Sequence, residues 1–204
     1  EGASYAGKAG FERVILAREV TMPELQSVST QNHVDLEIFV HGALCYSFSG
    51  LCLFSSYIGG MGANRGFCTQ PCRRVFEVNN EKKHLFSLKD NELINHIPEL
   101  TKLGITSFKA EGRMKSAEYV YRVAKAYRMV IDDPGKKEDD GKLLQYDMGR
   151  QKTSYFDGGD VRDALSGFPD TGLFIGTVRE SSSTAIKIET SHPLETGNRI
   201  RIHS

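Results

Sequence analysis

The chain has 204 residues, 39% of them hydrophobic and 25% charged, and its formal net charge is zero. That length holds one medium domain, or a domain plus a small module, and the charge balance announces no nucleic-acid or membrane partner in bulk while leaving room for a local basic patch. No apolar run of about eighteen residues occurs, which excludes a transmembrane helix, and the first residues lack the charged start and apolar middle of a signal peptide.

In chain order, 14–17 reads as a short buried strand. Thr21 can cap a helix opening at Met22-Pro23, since proline is tolerated in the first turn, with Leu25 and Val28 on one face. Residues 34–40 alternate as a second strand through Val34, Leu36, Ile38 and Val40. The stretch 50–66 holds five glycines and reads as a loop or a set of turns. Runs 74–78 and 85–88 predict a hairpin across a polar 79–83. Asp90 is placed to cap a helix over 91–103, bent or split by Pro98 and ended by Gly104. Residues 105–110 predict the next strand. Ser116 caps a helix from Ala117 to about Ile131, with Val120, Val123, Ala124, Tyr127, Val130 and Ile131 as its apolar face. A charged stretch over 132–141 reads as a solvated loop. Beyond it, 174–178, 185–189 and 199–203 alternate with period two, as an antiparallel module does.

These elements predict an α/β fold: the C-terminal part of a TIM-like (β/α) barrel over 1–132, a linker with an irregular or helical segment over 133–166, and the start of a small antiparallel β domain over 167–204. About four strand–helix units are present, half of what a closed barrel needs. With its abrupt opening, this predicts a piece of a longer protein.

The four cysteines all lie between 45 and 72, spaced C-x6-C-x15-C-x3-C. Without a secretory signal, clustered thiols point to a reduced, cytoplasmic compartment and to metal binding or catalysis. Four thiolates suit zinc or an iron–sulfur cluster. Neither pair has the tight C-x2-C spacing of a zinc knuckle, so the wider gaps favour a cluster fed from separate loops. The competing reading is two disulfides or four inert thiols. Cys45 follows a strand, on the face where (β/α) barrels carry chemistry. Arg65, Arg73 and Arg74 bracket the later cysteines and suit an anionic cluster or substrate, or merely solvent.

A second constellation gathers strand-end charges. If each strand is a barrel stave, Arg18-Glu19, Glu37, His41, Lys89-Asp90, Lys109, Glu111 and Arg113 converge near one mouth. Glu37 and Glu111 are candidate acid–base groups, and His41 a proton shuttle or ligand. Lys109 and Arg113 are anion clamps. The competing reading is solvated charges and a structural histidine. No P-loop, HExxH helix or GxSxG elbow occurs.

These residues carry a resemblance. Glu37-Ile-Phe-Val-His-Gly-Ala-Leu-Cys45, then Gly50-Leu-Cys52-Leu-Phe-Ser55, Phe67-Cys68-Thr-Gln-Pro-Cys72-Arg73 and Phe108-Lys109-Ala-Glu111-Gly112-Arg113-Met-Lys115-Ser116, closely resemble the motifs of the collagenase-like peptidase family, U32. The resemblance runs from about Gly10 to Asp132. It implies a barrel fold, and one of two activities. Some members are labelled collagenase-like proteases without an agreed nucleophile. Others support hydroxylation of an RNA base in tRNA or rRNA, or of a ubiquinone precursor, with a four-iron, four-sulfur cluster on cysteines like these. By that resemblance Cys45, Cys52, Cys68 and Cys72 hold the cluster, with zinc as the alternative metal. From the residues themselves, Arg18, Arg65, Arg73, Lys109 and Arg113 are the candidate substrate-binding groups, and Glu37, His41 and Glu111 the candidate catalytic ones. The expected partner is RNA; a peptide substrate and a zinc-stabilised binding module without catalysis are the alternatives. A longer N-terminal barrel half, or a second copy, would complete the fold.

Overall fold

The structure, a computed structural model, describes residues 1–31, 33–113, 115–135, 143–154, 164–166, 172–198 and 200–202. They divide into two units, Glu1–Gly172 and Leu173–Ser204.

The first unit opens with helix α1 (Gly2–Lys8), then β1 (Arg13–Ile15), α2 (Met22–Gln31) and β2 (Asp35–Ala43). Glu24 reaches back to accept from the Thr21 N–H and hydroxyl, both at 2.8 Å, so the start of α2 carries half of a capping box. Leu36, Ile38 and Val40 of β2 are buried against Leu25 of α2 and join the main core. Strand β2 pairs in parallel with β1, Val14 opposite Leu36.

The glycine-rich stretch after β2 is more ordered than its composition predicts. It contains α3 (Phe54–Gly59) and two single 3-10 turns, Ala63–Arg65 and Pro71–Arg73. The glycines mark ends here rather than disorder: Gly60, at φ 65°, closes α3 by donating to Ser56 O at 2.9 Å. The hairpin is also shifted from expectation. Strand β3 (Phe76–Val78) pairs with β4 (Glu81–Lys83), not with 85–88. Asn79 and Asn80 both hold positive φ, the signature of a two-residue turn that asparagine tolerates. Phe86 instead packs edge-on against Tyr46 and Phe76, with centroids 5.0 Å away in each case.

Asp90 does not cap a helix. Residues 90–92 form β5 (Asp90–Glu92), antiparallel to the end of β2 with Asn91 opposite Gly42. The helix there is shorter than expected: a 3-10 turn at Ile94–His96 leads into α4 (Ile97–Lys102), with Pro98 in its first turn rather than at a bend. Long-range pairing of the 90–92 backbone overrides the local capping signal. Strand β6 (Ser107–Ala110) pairs in parallel with β2, and α5 (Ala117–Asp132) follows. Ser116 caps α5 by accepting from the Tyr119 N–H at 3.2 Å. The buried face of α5 is Tyr119, Val123, Ala126, Tyr127 and Val130. Val120 and Ala124, expected inside, are exposed because the core lies against the adjoining stripe.

Strand β7 (Lys152–Thr153) pairs in parallel with β5. The sheet is therefore mixed, with parallel β1, β2 and β6 and antiparallel β5, and among the described residues it does not close into a barrel. The expected α/β character holds, and the departure from strand–helix alternation is β5, which enters where a helix was expected. The second unit contains the hairpin β8 (Gly176–Ser181) and β9 (Ile186–Thr190). The third predicted strand, 199–203, begins and ends on residues outside the described set, as does residue 136 onward of the solvated stretch over 132–141. Among the described residues no helix is long and apolar enough to cross a membrane.

Candidate functional site

Cys45 stands two residues beyond β2, behind the buried Leu44. Cys52 precedes α3, and Cys68 and Cys72 flank the entry to the Pro71–Arg73 turn. All four thiols are free; Cys68 is exposed and the others are half-buried. This removes both the disulfide reading and that of four fully buried inert thiols. Two groups donate toward the Cys68 sulfur, the Gln70 N–H at 3.3 Å and the Ser55 hydroxyl at 3.8 Å. Burial pushes the Cys72 thiol up, the adjacent Arg73 opposes this, and the charges of Cys45, Cys68 and Cys52 push it up further. The four sulfurs thus share one electrostatic neighbourhood. They do not converge on a point: among the described residues no three His, Cys, Asp or Glu side chains are grouped so as to hold a metal ion.

Arg73 holds this segment in place. Its guanidinium donates to Leu44 O at 2.7 Å, to the Ser87 hydroxyl at 3.1 Å and to Leu88 O. Burial lowers its pKa, with Arg150 adding to the effect. Arg73, expected to bind substrate, is occupied by protein acceptors on both sides of the cysteine loop. Arg65 and Arg113 are exposed.

Four of the strand-end charges do come together. Arg18 pairs with Glu111, Lys109 Nζ lies 3.5 Å from Glu37, and the Ser107 hydroxyl donates to Glu37 at 2.9 Å. Both cations lean on one ring: Arg18 is 4.2 Å and Lys109 5.4 Å from the Phe39 centroid. The result is a half-buried face of two acid–base pairs around an aromatic ring. Gly42 makes the approach of Glu111 possible. It sits at φ 116°, and a β-carbon there would lie 2.7 Å from Glu111 Cβ. Gly42→Ala is expected to cost about 2–4 kcal/mol through strain and overlap, read as a lower urea midpoint.

His41 leaves this face. The β2–β6 register slips between Phe39 and His41, so a bulge breaks the alternation that would have set His41 beside Glu37 and Phe39. Its ring is buried, with Nε2 3.2 Å from Asp147 Oδ2 and Nδ1 3.3 Å from the Tyr127 hydroxyl. That hydroxyl donates to Val40 O at 2.7 Å.

Asp147 belongs to a buried charged cluster that the sequence reading missed. Asp147 also accepts from the Gly149 N–H at 2.6 Å and lies 2.7 Å from Lys152 Nζ. Burial alone would raise its pKa, but the His41 and Lys152 bonds and the Gly149 N–H outweigh it and hold the carboxyl below the usual range. The fully buried Asp90 accepts from the Arg150 N–H at 3.2 Å, lies 3.4 Å from the Arg150 guanidinium and 3.9 Å from Lys115 Nζ. Burial lowers the Lys115 pKa, against the pull of Asp90. Asp147, Arg150 and Lys152 fall in a stretch without periodicity, where the only signal was charge.

Comparison with known proteins adds the following. The family model described as Peptidase family U32 matches residues 1–164. The 23S rRNA 5-hydroxycytidine C2501 synthase of Escherichia coli is 30% identical over 99% of this chain and 34% of its own length. The tRNA hydroxylation protein P1 of Bacillus subtilis is 37% identical over 60% of the chain and 32% of its length. A protein of Porphyromonas gingivalis named collagenase is 34% identical over 58% of the chain and 34% of its length. The chain thus spans about a third of the length of these relatives. No solved structure matches it significantly. With its motifs in place and the family model covering most of it, the chain belongs to peptidase family U32.

Proposed function

We propose that this chain carries the thiolate centre of an enzyme that hydroxylates a base of tRNA or rRNA, with a four-iron, four-sulfur cluster on Cys45, Cys52, Cys68 and Cys72. The observation that carries the reading is the gathering of four free thiols in one electrostatic neighbourhood beyond the end of β2. A single zinc ion holds thiolates at about 2.3 Å and so needs their sulfurs about 4 Å apart. The spacing C-x6-C-x15-C-x3-C, with no tight C-x2-C pair, favours a cluster fed from separate loops over a single zinc ion. When bound, such a cluster supplies one-electron redox chemistry.

The protein's own part is positioning. Arg73 fixes the loop, and the Gln70 N–H and Ser55 hydroxyl donate toward the Cys68 sulfur. Glu37 and Glu111, paired with Lys109 and Arg18, are carboxylates placed to hold or accept a proton from substrate. Arg65 and Arg113 are exposed for phosphate contact. The names of the Escherichia coli and Bacillus subtilis relatives support an RNA substrate. Peptide cleavage draws less support. A cysteine nucleophile needs a base beside it, and the ring nitrogens of His41 face Asp147 and Tyr127 instead.

The deciding experiment compares modified nucleosides in RNA from wild-type and deletion cells. A hydroxylated nucleoside lost on deletion and not restored by a Cys45→Ala copy is the expected result; an unchanged nucleoside profile overturns the reading. Anaerobic purification adds an independent check. Broad visible absorption with iron and sulfide is expected, whereas a colourless protein with stoichiometric zinc would exclude the cluster.

A further inference from the structure

The segment 44–75, which bears all four cysteines, contains three arginines and no aspartate or glutamate, although the whole chain is electrically balanced. The same segment exposes three aromatic rings: Tyr57 is 90% exposed, Phe48 70% and Phe67 60%. These rings are not the edge of a poorly formed core. Phe54 of the same segment belongs to a separate aromatic cluster: it stacks near Phe76 with centroids 6.2 Å apart, and Phe86 meets both edge-on. The Ser55 hydroxyl, buried under α3, accepts from the Thr69 N–H at 3.2 Å and ties α3 to the Cys68 strand of the loop. The platform is therefore braced from within while its outer rings stay uncovered.

Exposed aromatic area in one place marks a surface that a partner covers. The charge selects the partner. The segment supplies cations and no carboxylate of its own, and its exposed Arg65 and Arg74 attract anions; Glu19, which accepts from the Ser49 N–H, is the carboxylate that lies against its Phe48 end. Flat π-faces beside arginines fit a chain that alternates anionic phosphates with unstacked bases. A duplex hides its base faces inside its stack, so it offers only half of that match.

We propose that the segment 44–75 is a stacking platform for unpaired nucleotides: Phe48, Tyr57 and Phe67 take bases on their rings, and Arg65 and Arg74 take phosphates. The platform rests on the RNA reading above and deepens it. Because it is continuous in sequence with Cys45, Cys52, Cys68 and Cys72, it presents a single-stranded or looped region to the thiolate centre and selects against helical RNA.

The test is fluorescence anisotropy of the anaerobically purified protein with a labelled short uridine oligomer, against a duplex of equal length, over a range of salt. The expected result is tighter binding of the single strand. Tyr57→Leu, which keeps apolar bulk but removes the π-face, weakens it about tenfold, and Tyr57→Phe restores it. Arg65→Ala and Arg74→Ala each reduce the salt slope by about 0.7. Tyr57 is almost wholly exposed, so its variants keep the fold, which circular dichroism checks. Equal binding of duplex and single strand, or full binding by Tyr57→Leu, overturns the platform. Its failure is separable from that of the hydroxylation reading. Tyr57-dependent binding with an unchanged cellular nucleoside profile leaves the platform standing and removes the reaction; a lost nucleoside with Tyr57-independent binding does the reverse.

Discussion

Arg73→Ala is expected to detach the cysteine segment from the sheet and to destabilise the protein by about 3–5 kcal/mol. The guanidinium is the one group that bonds Leu44 O, one residue before Cys45, together with the Ser87 hydroxyl and Leu88 O, while itself sitting one residue after Cys72. Each charged hydrogen bond contributes roughly 1.5–3 kcal/mol, and truncation also leaves shielded carbonyls without a donor. Arg73→Lys is not a rescue. A single ammonium cannot span three acceptors that a planar fork reaches at once. Urea denaturation of the anaerobic protein gives the stability, and iron and sulfide per chain report on the proposed cluster. Both are expected to fall together in Arg73→Ala and Arg73→Lys. Wild-type stability with full metal content in either variant would show that the clamp is dispensable.

Asp147→Ala is expected to cost a similar amount, about 3–5 kcal/mol, because it strands a buried Lys152 ammonium and removes the partner of His41. Asp147→Asn is expected to fall between, since its carbonyl can still accept the Gly149 N–H now bonded at 2.6 Å. The pH dependence follows from the direction of the shift. The folded carboxyl titrates below its ordinary value of about 3.9, so its contribution is fully present above that pH. It is lost as the pH falls through the lower folded value. Wild-type stability is therefore expected to drop below about pH 4, with a flatter curve in Asp147→Ala over that window. Thermal unfolding followed by circular dichroism between pH 3 and pH 7, on the order of one unit per step, measures both. Parallel curves for the two proteins would mean that Asp147 is not the linked group.

Where a signal was local, the sequence was readable. Strand β2 declared itself through the alternation of Leu36, Ile38 and Val40, and α5 through Ser116 and a helical apolar stripe. Even there the stripe was read one step off, taking in Val120 and Ala124 and omitting Ala126, because periodicity fixes a spacing but not which neighbouring column meets the core. Asp90 misled for a related reason. An aspartate before a helix-like run is a local capping signal, yet its carboxylate is drawn into a buried cluster by Lys115 and Arg150, distant in sequence, and the backbone behind it pairs with β2.

The candidate site divides along the same line. By itself the sequence determined that four thiols are concentrated in one short segment, that arginines and aromatic residues share that segment without any carboxylate, and that the chain carries the motifs of its family. Arg18, Glu37, Lys109 and Glu111 were also foreseeable together, since parallel strands bring their carboxyl ends to one edge. Only the tertiary structure decided which of these groups remain available. It turned Arg73 inward to bind carbonyls on both flanks of the cysteine loop. Through a single bulge it moved His41 from the acid–base face into a buried pair with Asp147. The physical reason is that spacing along a chain sets which side chains can meet, whereas hydrogen-bond satisfaction and burial, which depend on residues far away in sequence, choose among those meetings.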